Sequence, residues 1–321
     1  MTKTILTGLL MAAALVVAPA GAETVHGLWV WDGAAMVKNK AEQARLLAAA
    51  PSLGLTDLYL AIGSADYKSK DLPAFIQLMA RNGVKVWGLD GCRCYFGDAD
   101  GPLALYQNVD AMIRYNAAAP EDARFVGFQT DNEPQDLADY PKHFHNGLAT
   151  SQLTDTQKHE REVLLHNWLD IQQTVYALLK SNHLKTGAAM VFYTGDYFGE
   201  PLTVDYNGVR ANVGHLMMGY TDSYVVMSYN TDPANAANRV VEQAAFASKL
   251  PADIRPQVLA SMEVDKGVEA KVSYGDTPGK DTKAAVLADR DALSAALATY
   301  PAFAGVAIHA WSGWKDLRDR P

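Results

Sequence analysis

The sequence predicts an α/β protein closed as a (β/α)8 TIM barrel. Eight short apolar runs alternate with segments of helical periodicity, and no glycine-rich phosphate turn of the open doubly wound sheets follows the first run. The runs are His26–Asp32, Asp57–Gly63, Val84–Asp90, Phe125–Asp131, Ala189–Gly195, Tyr224–Asn230, Gln257–Glu263 and Gly305–Trp311. Val, Ile, Tyr and Phe are frequent in them, as buried strands require. Helices are expected around Ala41–Ala50, Asp71–Arg81, Leu103–Ala117, Asp155–Asn182, Val209–Gly219, Ala234–Leu250 and Thr282–Ala298. Pro73 sits where a helix begins, Asn82-Gly83 where one stops, and Gly187 ahead of a strand. Ten residues follow Trp311, so the eighth helix is reduced to a turn or absent.

Composition sets the outer limits. The chain has 321 residues, 49% hydrophobic and 20% charged, with 2 Cys, which excludes a disordered chain or a disulfide framework. A formal charge of −8 leaves no basic surplus for a nucleic-acid backbone. Residues 1–22 read as a secretory signal: Lys3, the apolar run Ile5–Val17, then the small-x-small pattern Ala20-Gly21-Ala22. The run is shorter than a membrane span, which needs about 20 apolar residues. The expectation is a periplasmic or secreted protein with no membrane span once the signal is removed. Residues 23–321 then form a single barrel domain, with no linker or repeat to divide them. Cys92 and Cys94 flank Arg93, a spacing at which a bridge is expected to be strained; their redox state stays open.

Barrel chemistry collects at the C-terminal strand ends. Those ends carry Trp31-Asp32, Asp90-Gly91, Asp131-Asn132-Glu133-Pro134, Gly195-Asp196, Tyr229-Asn230, Glu263 and His309-Ala310-Trp311. Helix caps account for one or two of these polar residues, not for several acids beside aromatics. On the fourth strand the two-residue period puts Gln129, Asp131 and Glu133 on one face. Two close carboxyls push each other's pKa values apart, so one stays ionised while the other holds a proton. Glu263, on the seventh strand, lies across the barrel. An acid and an opposed carboxylate are what glycosidic cleavage requires, with retention at about 5–5.5 Å separation and inversion at roughly 6.5–9.5 Å. Glu133, Glu263 and Asp131 are therefore the candidate catalytic residues. Asn132, Tyr229, Trp311, Trp31, Asp90, Asp196 and His309 are the candidate substrate contacts. No cofactor motif is present. His143, His145 and Asp139 lack the further ligand a zinc site needs, so no metal is expected.

Three resemblances bear on this reading. Asn132-Glu133-Pro134, Glu263 and Trp311 resemble the retaining glycosidases of clan A, which implies Glu133 as acid/base and Glu263 as nucleophile. Phe125–Glu133 is similar to the D-G-x-D-x-D-x-E signature of family 18 chitinases, and Met227-Ser228-Tyr229-Asn230 to their M-x-Y-D. That implies a substrate-assisted hydrolysis of N-acetylated glycans using Asp131, Glu133 and Tyr229. Val126 and Gln129 stand at two of the signature's aspartate positions, and Asn230 at the last Asp of the second motif. The widest resemblance is to bacterial exported glycoside hydrolase-like barrels with D-x-E-P, V-x-x-M-x-Y, a strand-seven Glu and F-x-G-x-A-I-H. Here these are Asp131–Pro134, Val225–Tyr229, Glu263 and Phe303–His309. The expected function is an exported glycosidase acting on a poly- or oligosaccharide. The alternative from another class is a barrel that binds glycan without cleaving it.

Overall fold

The computed structural model describes residues 24–96, 101–137 and 144–319. The expected signal segment, His143 and Asp139 lie outside the described residues. In chain order the elements are β1 (Val25–Val30), α1 (Gly33–Lys38), α2 (Lys40–Leu53), β2 (Asp57–Ala61), α3 (Leu72–Arg81) and β3 (Lys85–Asp90). Then come α4 (Gly101–Ala118), β4 (Gly127–Thr130), α5 (Asp155–Lys180), β5 (Lys185–Val191), β6 (Thr203–Tyr206), β7 (Val209–Asn212) and α6 (Val213–Met218). The chain continues through β8 (Ser223–Met227), α7 (Pro233–Ser248), β9 (Gln257–Glu263), α8 (Lys283–Leu297), β10 (Phe303–His309) and α9 (Trp311–Asp316).

Eight strands close in the order β1-β10-β9-β8-β5-β4-β3-β2, every neighbouring pair parallel. The barrel expected from the alternation is the fold observed. The expected reduction after the eighth strand is the six-residue α9. Helix starts follow their local chemistry. Asn39, Thr154, Asp232 and Thr282 each accept hydrogen bonds from first-turn amides, and Pro233 opens α7 where no amide donor is needed.

Four elements differ from the sequence expectation: α1 is an unexpected short helix, the eighth strand is Phe303–His309 rather than Gly305–Trp311, and the fifth strand and sixth helix change as follows. The fifth barrel strand is Lys185–Val191, four residues earlier than Ala189–Gly195, and Phe192–Thr194 form a 3-10 turn. Gly187 lies inside this strand rather than ahead of it, because a Cβ there would come within 2.0 Å of Gln129 Oε1. The helix expected over Val209–Gly219 is only Val213–Met218; its first residues pair antiparallel with Thr203–Tyr206. Asn207-Gly208 explains the hairpin. Both have positive φ, 52° and 78°, as a two-residue primed turn demands.

Rings fill the lumen. Trp29 packs on Tyr59 at 5.0 Å between centroids and Tyr59 on Trp87 at 6.0 Å, while Trp87 Nε1 donates to Asp57 Oδ1 at 2.7 Å. The neighbouring strand β4 makes room through Gly127, the register partner of Trp87, where a Cβ would lie 2.7 Å from the Trp87 ring and 2.3 Å from the Lys185 carbonyl oxygen. Gly127→Ala is therefore expected to destabilise the barrel by on the order of 2–3 kcal/mol, measured by urea unfolding; an unchanged midpoint contradicts this packing account.

Candidate active site

The barrel mouth gathers residues from five strand ends. Asp131 follows β4 directly, its amide donating to the Asp90 carbonyl at 3.0 Å. Glu133 lies two residues on, at the entry to a 3-10 turn, and Gln135 Nε2 donates to its Oε2 at 2.8 Å. The loop behind them is tied down from α5. The buried Arg161 guanidinium donates to the carbonyls of Phe144, His145 and Leu148, and Asn146 in that loop donates to the Gln135 carbonyl. A helix residue thus steadies Glu133 through two intermediaries.

On the other wall, β9 and β10 place Glu263 and His309 in register. Glu263 is 4% exposed and faces two donors: the Asp265 amide at 2.7 Å from Oε1, and His309 Nδ1 at 2.7 Å from Oε2. Trp31, just past β1, donates its indole N–H to His309 Nε2 at 2.7 Å. Tyr229, just past β8, lies with its ring 5.9 Å from that of His309.

Electrostatics ties the walls together. Burial, then the charges of Asp131, Glu263 and Glu133, holds the Tyr229 phenol well above its ordinary pKa, so it stays a protonated donor among three carboxyls. Burial is also the main cause for Asp131, raised to about 6, with His309 pulling it down and Asp136 pushing it up. Glu133 is raised furthest, to about 8, by burial and then by Asp131 and Asp136. The pair therefore ionises in sequence, Asp131 first, and Glu133 keeps its proton at neutral pH. For His309, burial disfavours the imidazolium, but the Glu263 hydrogen bond and the charges of Glu263, Asp131 and Asp265 outweigh it and raise the pKa.

Gln129 and Asn132 are buried with no hydrogen-bond partner on their amides, and Asp131 Oδ1 is likewise unpartnered. Buried polar atoms normally find partners, so these offer bonding capacity at the mouth. Sequence reasoning placed Gln129 on the same face as the acids without assigning it a role. The remaining expected contacts are placed differently. Asp90 accepts from Asn108 Nδ2 at 2.7 Å, and exposed Asp196 accepts from the Gly199 amide in its own turn. Trp311 is buried, and its indole donates to Glu42 Oε2 at 3.1 Å. Together with Trp31, Glu42 and Lys315 it lines a cavity of about 120 Å³ between α2 and α9. His145 bonds Glu160 at 2.7 Å. Cys92 and Cys94 are joined as a disulfide with Cα atoms 5.1 Å apart.

Glu263, Asp265 and His309 offer ligand atoms within 4.8 Å of one another. The hydrogen bonding works against a metal there. An indole N–H only donates, so Nε2 of His309 supplies the lone pair, Nδ1 carries the proton, and Nδ1 is the atom facing the carboxylates. A cation at that position requires the Trp31 bond to break.

The sequence matches no protein-family model and no curated protein. The structure is similar to a class V chitinase from Pseudomonas fluorescens Pf-5 (TM-score 0.50, 12% identity, covering 91% of this chain and 96% of that one). It is also similar to the spore cortex-lytic enzyme SleL from Bacillus megaterium QM B1551 (TM-score 0.51, 12% identity, covering 92% and 72%).

The raised pKa of Glu133 has a consequence for stability. The folded state holds this proton to about 8, whereas the unfolded chain releases it near the ordinary glutamate value of 4.5, so stability is lost as pH rises through that interval. Glu133→Gln removes the loss. Its Tm is expected to exceed that of the wild type by roughly 3–6 °C at pH ~8.5 and to match it near pH ~4.5. Parallel melting curves at both pH values contradict a retained proton. What the two similar structures share with this chain is the (β/α)8 barrel itself.

Proposed function

We propose that the protein is an exported glycoside hydrolase that cleaves a poly- or oligosaccharide with two carboxyls at the barrel mouth. The observation that carries this reading is the contrast between them: Glu133 retains a proton, while Glu263 is faced by two hydrogen-bond donors. Glu133 gives its proton to the leaving glycosidic oxygen as Glu263 attacks the anomeric carbon. Glu133, now a carboxylate, takes a proton from the water that frees the sugar from Glu263, and configuration is retained. Asp131 keeps Glu133 protonated between turnovers, and Tyr229 donates into the space between the walls. The similar barrels include a chitinase and a spore cortex-lytic enzyme, which is in keeping with a carbohydrate substrate. The leader-like Ile5–Val17 run supports action outside the cytoplasm.

Exposed aromatics on opposite walls support a chain running across the mouth. Phe198, following β5, is 60% exposed at a positive φ of 55°, and Trp31, following β1, is 37% exposed. Phe198 packs on Tyr197 and Tyr197 on Tyr193, whose phenol is influenced by Asp136 and Glu133. Each ring can cover the apolar face of a sugar.

Glu133→Gln and Glu263→Gln are each expected to lower kcat by about 10²–10⁴-fold on any glycan the wild type cleaves, and the alkaline limb near pH 8 should vanish in the first. Unaltered turnover in either variant removes it from the mechanism. Phe198→Ala should raise KM for long oligosaccharides and leave KM for a disaccharide unchanged; equal effects on both rule out a ring that binds beyond the cleaved bond.

A second reading rests on the charge of Asp131 acting on Glu133 and of both acting on Tyr229. A substrate acetamido group would then attack in place of Glu263, with Asp131 and Tyr229 steering it. Hydrolysis confined to N-acetylated oligosaccharides, and surviving Glu263→Gln, selects this reading.

A further inference from the structure

We infer that Trp31 is a positioning residue that fixes the tautomer of His309, so that His309 presents a neutral N–H to Glu263. This deepens the proposed function and rests on it only for the consequence to catalysis. The inference itself stands on three contacts, each of 2.7 Å: Trp31 Nε1 to His309 Nε2, His309 Nδ1 to Glu263 Oε2, and the Asp265 amide to Glu263 Oε1.

The chemistry of the first contact decides the rest. Indole has one N–H and no acceptor in its plane, whereas a neutral imidazole has one nitrogen of each kind. The bond therefore exists only if Nε2 is bare, and the ring's single proton then sits on Nδ1. The three acids around the ring, Glu263, Asp131 and Asp265, favour a second proton on it, and the Trp31 N–H opposes that proton by occupying the Nε2 lone pair. A cationic ring against Glu263 could surrender a proton to it and quench the nucleophile. A neutral N–H orients the carboxylate and leaves its charge intact.

The surroundings suit a ring held in one orientation. Trp29 lies edge-on at 5.8 Å, Trp31 at 6.0 Å and Tyr229 tilted at 5.9 Å, so three aromatic rings enclose the imidazole. Trp29 is buried and belongs to the barrel filling, whereas Trp31 is 37% exposed and reaches His309 from the rim. Exposure at the rim is the position from which a side chain can be replaced without opening the core.

The test needs no substrate. ¹⁵N-histidine NMR of the full-length protein distinguishes Nδ1–H, Nε2–H and imidazolium forms, and His309→Asn assigns the resonance. The wild type at mildly alkaline pH is expected to show His309 as Nδ1–H. Trp31→Phe keeps a ring and loses the donor, so a mixed Nδ1–H and Nε2–H population or imidazolium should appear. If the wild type shows Nε2–H or imidazolium there, or if Trp31→Phe leaves the spectrum unchanged, the inference is overturned. On a cleaved glycan, Trp31→Phe should lower kcat about tenfold at constant KM, as expected for loss of an outer partner that fixes a ring tautomer. A rise in KM with kcat unchanged confines Trp31 to sugar contact and overturns the positioning role. If the NMR outcome holds and the wild type cleaves no glycan, the tautomer assignment stands and the hydrolase reading fails.

Discussion

Burial of carboxyls above a lumen packed with aromatic rings is the constraint on which the rest of the site depends. Trp29, Tyr59 and Trp87 pack the lumen, and Gly127 on the neighbouring strand gives the Trp87 ring the space it needs. Water-poor surroundings at the mouth then make a charge on Asp131 or Glu133 costly, and the two share that cost unequally. A carboxyl that holds its proton at neutral pH follows from this burial.

The opposite wall is organised by strand register instead of burial alone. β9 and β10 align Glu263 with His309, and β1 closes against β10 to bring Trp31 onto the far nitrogen of the imidazole. Three strand ends contribute one link each to a single proton network. Arg161 serves the other wall in a comparable way, holding the loop that carries Asn146 against Gln135 and hence Glu133. Rigid elements thus supply the orientation that the two carboxyls need to play different parts.

Where sequence reasoning and structure diverge, the causes are local. The fifth strand shifts toward Lys185 because Gly187, which reads as punctuation, is required inside the strand beside Gln129. The hairpin at Asn207-Gly208 was legible in principle, since that dipeptide favours a primed turn, yet the apolar spacing of Val209–Gly219 mimics a helix. Trp311 reads as a mouth aromatic from its place after the eighth strand. Its indole instead turns to Glu42 on α2 because α9 begins at that very residue. Asp196 is drawn into its own turn by the Gly199 amide.

By itself the sequence determined the barrel, through alternation of β-rich and helical segments, and the acids at the ends of its fourth and seventh strands, through two-residue periodicity. These are properties of neighbours along the chain, and a periodic pattern records them. Only the tertiary structure decided which acid keeps its proton and how the other is held. Trp31 and His309 are 278 residues apart in sequence, and nothing local to either names its partner. Barrel closure makes them neighbours, and the direction in which a hydrogen bond donates then assigns the proton.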